Sequence, residues 1–206
     1  MQSYDTIAAP ARDELIEKRS RFLADIRPLQ TEAECAAFVA EKRAQHHDAR
    51  HHCWACVLRQ GGVLRYSDDG EPQGTAGVPM LEVLRREDLT DVAVVVTRYF
   101  GGILLGAGGL SRAYSHSAKL AVDAARRVHM RLCAQVMLEL PYSLYDRLNA
   151  LLGQMGAVTL DTAYGADITL TLRMEQSLLP VFEDKLTELS GGKVRAVRIG
   201  QEFAAI

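Results

Sequence analysis

The sequence predicts an α+β fold in two domains, residues 1–134 and 135–206, and three observations predict it. Val92 to Phe100 is nearly all apolar and β-branched, the pattern of a strand buried on both faces and the expected centre of a sheet. A glycine-rich passage leads from it into a long amphipathic helix. From Gln135 onward the order reads β-α-β-β-α-β, which is ferredoxin-like.

Taken in order, the chain starts with a charged stretch expected to be irregular. Leu15 to Leu29 then reads as extended, with Ile16, Phe22, Leu23 and Ile26 among charges until Pro28 stops the run. Thr31 and Glu34 form a capping-box pair at the head of a helix that continues through Cys35, Phe38, Val39, Lys42 and Arg43. A strand from His51 to Arg59 pairs with Val63 to Tyr66 across Gln60-Gly61-Gly62. Ser67 to Pro79 holds too many chain breakers for a regular element and is a long specified loop, and Pro79 fits the first turn of a helix carrying Met80, Val83 and Leu84. After the central strand, a helix is expected from about Leu110 to Val128. Its apolar face (Leu110, Ala113, Ser117, Leu120, Ala121, Ala124, Val128) is made largely of small residues and can lie close to a sheet.

The second domain opens with a strand from Gln135 to Leu140, halted by Pro141. A helix from Tyr142 to Met155 follows. Val158 to Tyr164 and Ile168 to Met174 alternate about the hairpin signal Gly165-Ala166-Asp167. A helix from Gln176 to Leu189 and a strand from Val194 to Phe203 complete the domain.

Composition narrows the function classes. The 206 residues are 48% hydrophobic and 24% charged, as in ordinary globular proteins rather than disordered tails. No window approaches the ~18 to 20 apolar residues that span a bilayer, and Met1 to Asp5 lacks a basic-then-apolar leader, so a soluble, cytoplasmic protein without membrane partners is expected. Cys35, Cys53, Cys56 and Cys133 then read as reduced thiols rather than a disulfide scaffold.

The formal charge of -2 hides a segregation: residues 67–91 carry a net -5 and residues 92–138 a net +5. Arg112, His116, Lys119 and Arg126 share one helical face, either a stripe that tracks phosphates or a solvated face partly paired with the acidic loop. Gly101, Gly102, Gly106, Gly108 and Gly109 follow the buried strand, and Ser111 is placed to cap a helix whose amide N–H groups favour an anion flanked by Arg98 and Arg112. The same glycines also suit tight chain reversal and helix packing alone. Neither the P-loop nor the dinucleotide fingerprint is present.

Other chemistries find less support. If 51–59 is a strand, Cys53 and Cys56 lie on opposite faces and cannot converge with the nearby histidines on zinc, so neither metal nor cofactor is expected. Asp68, Asp69 and Glu71 have the chemistry to hold Mg²⁺ or to form an acidic turn. No nucleophile elbow occurs, and Ser111 and His116 point apart on a helix, so no catalytic residue is assigned.

Two stretches carry a family resemblance: Asp68-Asp69-Gly70-Glu71-Pro72-Gln73-Gly74-Thr75-Ala76-Gly77-Val78-Pro79, and Arg98-Tyr99-Phe100-Gly101-Gly102 running on to Leu110-Ser111-Arg112-Ala113-Tyr114. They resemble the IMPACT family in its bacterial branch, and the similarity extends over essentially the whole chain. It implies an N-terminal βα domain similar to a ribosomal small-subunit protein domain, to domain IV of elongation factor G and to the GHMP kinases. It also implies a C-terminal ferredoxin-like domain similar to domain V of that factor. Eukaryotic relatives regulate translation initiation by restraining an initiation-factor kinase pathway, partly through an additional N-terminal RWD domain; this chain is expected to begin at the shared domain.

The first expectation is therefore a translation-associated regulator, without turnover, that binds RNA or the ribosome. Its anion surface would comprise Arg98, Gly101, Gly102, Gly108, Gly109, Ser111, Arg112, His116 and Lys119, bordered by Asp68, Asp69 and Glu71. The alternative is a nucleotide-binding or phosphoryl-transfer enzyme using the glycine-rich and acidic loops. A third reading makes the second domain a small-ligand or dimerisation module. Oligomeric state is not legible in the sequence.

Overall fold

The computed structural model describes residues 3–205 as two compact units, Tyr4–Val128 and His129 onward, each with its own sheet. The division falls inside a continuous strand rather than at the position near residue 134 read from the sequence.

The first unit opens with β1 (Ser3–Ile7), β2 (Ala11–Glu17) and β3 (Ser20–Pro28). The expected irregular start is thus regular structure; Met1 and Gln2 lie outside the described residues. β2 and β3 form a hairpin whose two turn residues, Lys18 and Arg19, both have positive φ (46° and 65°). Such turns ordinarily use Asn or Gly, which explains why no turn signal stands there in the sequence. α1 (Glu32–Gln45) starts at the predicted capping box: the Glu34 amide donates to Thr31 Oγ1, and the Thr31 amide to Glu34 Oε2.

β4 (His51–Leu58) and β5 (Val63–Ser67) pair as expected, followed by α2 (Gly77–Arg86), β6 (Val92–Tyr99) and α3 (Gly106–Ala124). The sheet order is β2-β3-β6-β4-β5, antiparallel throughout, with β6 at the centre. Strand alternation sorts the core. Val92, Val94, Val96, Cys53 and Ala55 face α2 and α3, whereas Ala93, Val95 and Cys56 face α1 with Phe38 and Val39. Cys53 and Cys56 do lie on opposite faces, and all four cysteines are buried and free.

α3 begins and ends four residues before its expected position. Gly106 to Gly109 are helical rather than loop, because Leu110, Ala113, Tyr114, Ser117 and Ala121 behind them are buried and carry the weak helix formers along. The early end has a tertiary cause: the Ala8 amide donates to the Arg126 carbonyl at 2.8 Å, beyond the helix. Gly101 shows why a glycine stands after β6. A Cβ there would land inside the Arg19–Ser20 peptide, and its amide donates to Ser20 Oγ at 3.1 Å.

The second unit contains β7 (Arg127–Leu140), α4 (Tyr142–Gln154), β8 (Val158–Tyr164), β9 (Ile168–Glu175), α5 (Leu179–Ser190) and β10 (Val197–Ala205). Its strands run β10-β7-β9-β8, all antiparallel, which is the ferredoxin-like order. β7 starts eight residues before the expected strand, since β10 pairs along it from Met130 to Met137. β9 alternates strictly, with Ile168, Leu170, Leu172 and Met174 buried against α4 and α5. No helix among the described residues is long and apolar enough to cross a membrane.

Two glycines should respond oppositely to the same change. Gly101→Ala overlaps unyielding backbone and is expected to cost about 1–3 kcal/mol, whereas Gly153→Ala in α4 meets nothing within 4 Å and should be neutral or stabilising by up to about 1 kcal/mol. Thermal unfolding of both variants beside the parent chain checks this.

Candidate functional site

The two signature stretches meet at the end of β6. Arg98 stands opposite His51 of β4 and Phe22 of β3 in the ladder, so its side chain emerges on the α2/α3 face. There Nη1 donates to Glu71 Oε1 at 2.6 Å, and the Tyr114 hydroxyl donates to the same oxygen at 2.8 Å. Arg98 and Glu71 are both more than nine-tenths buried. The guanidinium carbon lies 5.4 Å from the Phe22 ring centre and 5.6 Å from that of Phe100, and Phe22 meets Tyr114 edge to face at 5.2 Å. Burial, the Cys53 thiol and Glu71 hold the Tyr114 hydroxyl far above its usual pKa, so it remains a donor. Cys53, pushed up to about 12 by burial, donates to the Asp68 carbonyl at 3.0 Å.

Each acid of the first stretch has internal partners. Asp68 accepts three amides, from Gly74 (2.8 Å), Ala76 (3.0 Å) and Gly77 (2.8 Å), and so closes the loop onto the start of α2. Burial raises the Asp68 pKa, but the three amides together outweigh burial and hold it below the usual carboxylate range. Asp69 receives Arg43 at 2.5 Å and the His52 amide at 2.7 Å, while its carbonyl lies 2.9 Å from His51 Nδ1. The acidic loop is therefore a folded clamp. Asp68 and Glu71, spent on amides and on Arg98, do not present the open carboxylates that a Mg²⁺-nucleotide site would need.

The predicted anion surface is rearranged in the same way. Arg98 points into the Glu71 pair instead of flanking an open cradle, because a buried carboxylate needs a cation. Ser111 lies inside α3 and caps nothing; α3 starts at Gly106, with no side-chain cap, so the Gly106, Ala107 and Gly108 amides lack intrahelical acceptors. Gly101 is packed against the β2–β3 turn, and Gly102, at φ 84°, turns the chain. Gly109 sits in the first turn beside Leu105. Lys119 is committed to Asp123 and, at 3.2 Å, to Glu87. Arg126 lies beyond the helix, off the expected stripe.

Arg112 and His116 remain exposed on α3. The Arg112 side chain runs back toward the helix start, its Nη1 3.7 Å from where a Cβ on Gly108 would be. With Gly109, His116, and Glu17 and Lys18 at the turn, it lines a hollow of about 260 Å³. Among the described residues, Arg112 and Lys18 form no ion pair. Lys18 had no signal in the sequence; only the hairpin brings it here.

The geometry defines a two-unit α+β protein in which a loop clamp, a buried ion pair and a glycine-opened helix form one assembly. The Impact N-terminal domain family matches residues 18–122, and a domain of unknown function, DUF1949, matches 138–193. The chain is 34% identical over 194 residues to the IMPACT family member YvyE of Bacillus subtilis, covering 94% of this chain and 89% of that one. It is 35% identical over 202 residues to the IMPACT family member YigZ of Escherichia coli, covering 97% and 99%. A solved crystal structure of a hypothetical protein, 35% identical, superposes with a TM-score of 0.64 over 98% of this chain and all of that one. The chain belongs to the IMPACT family.

Removing one partner of the buried pair leaves the other uncompensated. Arg98→Ala is therefore expected to destabilise the first unit by about 3–5 kcal/mol, and the double variant Arg98→Met with Glu71→Leu by clearly less, measured by urea unfolding. Asp68 makes a pH-dependent contribution. Its pKa is lowered on folding, so its stabilisation is fully present above the unfolded carboxylate range and is lost as pH falls through the depressed folded value. Asp68→Asn should show a smaller loss of stability between pH 5 and pH 2 than the parent chain, read as the slope of unfolding free energy against pH.

Proposed function

We propose that this protein is a translation-associated regulator that binds RNA or the ribosome through the start of α3, without chemical turnover. The observation that carries this reading is the position of Arg112: an unpaired guanidinium folded over Gly108, beside three uncapped amides and a hollow shared with Lys18 and His116. Amides at a helix start and a free arginine are donors suited to phosphate oxygens. Gly106, with nothing within 4 Å of where a Cβ would stand, lets a backbone phosphate approach, and the side chain that lies over Gly108 is Arg112 itself. Of the residues first assigned to the surface, Gly108, Gly109, Arg112 and His116 keep a direct contact role, and Lys18 joins them. Gly101, Gly102 and Arg98 position the loop, Ser111 lies within the helix, and Lys119 stays with its acids. Asp68, Asp69 and Glu71 act from behind as the clamp. Family membership supports the translational setting, and a cytoplasmic location accords with it.

Phosphate neutralisation releases counterions, so retention on RNA or ribosomes should fall steeply with salt. Replacing Lys18 and Arg112 together by Ala is expected to weaken retention and to lower the slope of log affinity against log salt by about 2, one for each lost phosphate contact. Filter binding or ribosome co-sedimentation between low and moderate salt measures both; an unchanged slope would remove the α3 surface from the reading.

A further inference from the structure

A second cavity, of about 620 Å³, opens on the other side of the glycine loop. It is lined by Asp48, Ala49, Arg50 and His51 leading into β4, by Arg98, Tyr99 and Phe100 at the end of β6, and by Leu104. Three features distinguish it from an ordinary surface dent. Arg98, 7% exposed, has one nitrogen fixed by Glu71, while its Nε–H is buried and has no acceptor. The Phe100 ring, 55% exposed, lies beside that guanidinium, and Leu104, 83% exposed, supplies a second apolar surface. Arg50 is exposed at the rim and forms no ion pair among the described residues, whereas Asp48 is already taken by the Tyr99 hydroxyl at 2.9 Å.

We propose that this cavity receives one unstacked nucleotide of a single-stranded RNA, its base lying on Phe100 and its phosphate at Arg50. The inference rests on the RNA reading of the α3 surface and names the form of RNA that surface engages. An exposed ring beside a guanidinium matches a planar base, which stacks on the ring and is polarised by the neighbouring cation. The volume lies in the range of small-ligand sites. Continuity with the α3 surface is direct: Leu104 lines this cavity and the next residue, Leu105, lines the hollow that holds Arg112. A strand tracking its phosphates along the start of α3 therefore passes the mouth of this cavity. A duplex, whose bases are stacked and paired, can use the α3 surface but cannot enter.

The test uses the full chain and a short fluorescent RNA, as a single strand and as its duplex, followed by anisotropy. Phe100→Ala should weaken single-strand binding about tenfold and leave duplex binding within about twofold, while Phe100→Tyr should bind the single strand like the parent chain. Arg112→Ala should weaken both forms. Thermal unfolding of the Phe100 variants confirms that they fold. If Phe100→Ala binds the single strand as well as the parent chain, or loses both forms alike, the cavity assignment is overturned while the α3 reading stands. If the parent chain retains neither RNA, both are overturned.

Discussion

A carboxylate removed from water needs a cation and hydrogen-bond donors, and Glu71 obtains Arg98 from β6 and Tyr114 from α3 at one oxygen. That requirement ties together the loop before α2, the end of the central strand and the third turn of α3. The position of everything nearby follows. Asp68 closes its own loop onto the start of α2 three residues before Glu71, which Asp69 and Gly70 deliver to the pair. Phe100 and the glycines after it leave β6 from a point fixed by Arg98. The two signature stretches are thus primarily a folding device, and the groups left free around it, Arg112, Lys18, Arg50 and the Phe100 ring, are those available to a partner.

The charge segregation along the chain is partly cancelled in space. Acids of residues 67–91 meet bases of residues 92–138: Glu71 with Arg98, and Glu87 with both Lys119 and Arg127. The two Glu87 pairs, which are partly exposed, contribute little stability each. Their effect here is to remove candidates from the surface, so that a five-residue excess of positive charge in the sequence becomes a small patch around the start of α3. The stripe of Arg112, His116, Lys119 and Arg126 inferred from helical spacing loses Lys119 to acids and Arg126 to the end of the helix.

Much of the architecture was legible because it is written in local rules. The capping box of Thr31 and Glu34 starts α1 where expected, the apolar run Val92–Tyr99 is the central strand, and alternation sends Cys53 and Cys56 to opposite cores. The ferredoxin-like unit follows from its order of elements and from the strict alternation of β9. What stayed illegible depends on partners distant in sequence. The β2–β3 turn uses Lys18 and Arg19 without a turn residue, α3 recruits three glycines at its start, and β7 extends toward a strand near the end of the chain.

The sequence by itself determined the class of fold, the family, and the residues where its chemistry concentrates, because periodicity, capping and the two signature stretches are properties of neighbouring residues. The tertiary structure decided which of those residues stay exposed and unpaired. Arg98 and Arg112 look alike in sequence, each an arginine beside glycines. One is drawn inward by a carboxylate 27 positions away, and the other lies over a helix start and, among the described residues, forms no ion pair, although Glu17 lines the same hollow. Desolvation of Glu71 is what separates them, and desolvation exists only once the chain has folded.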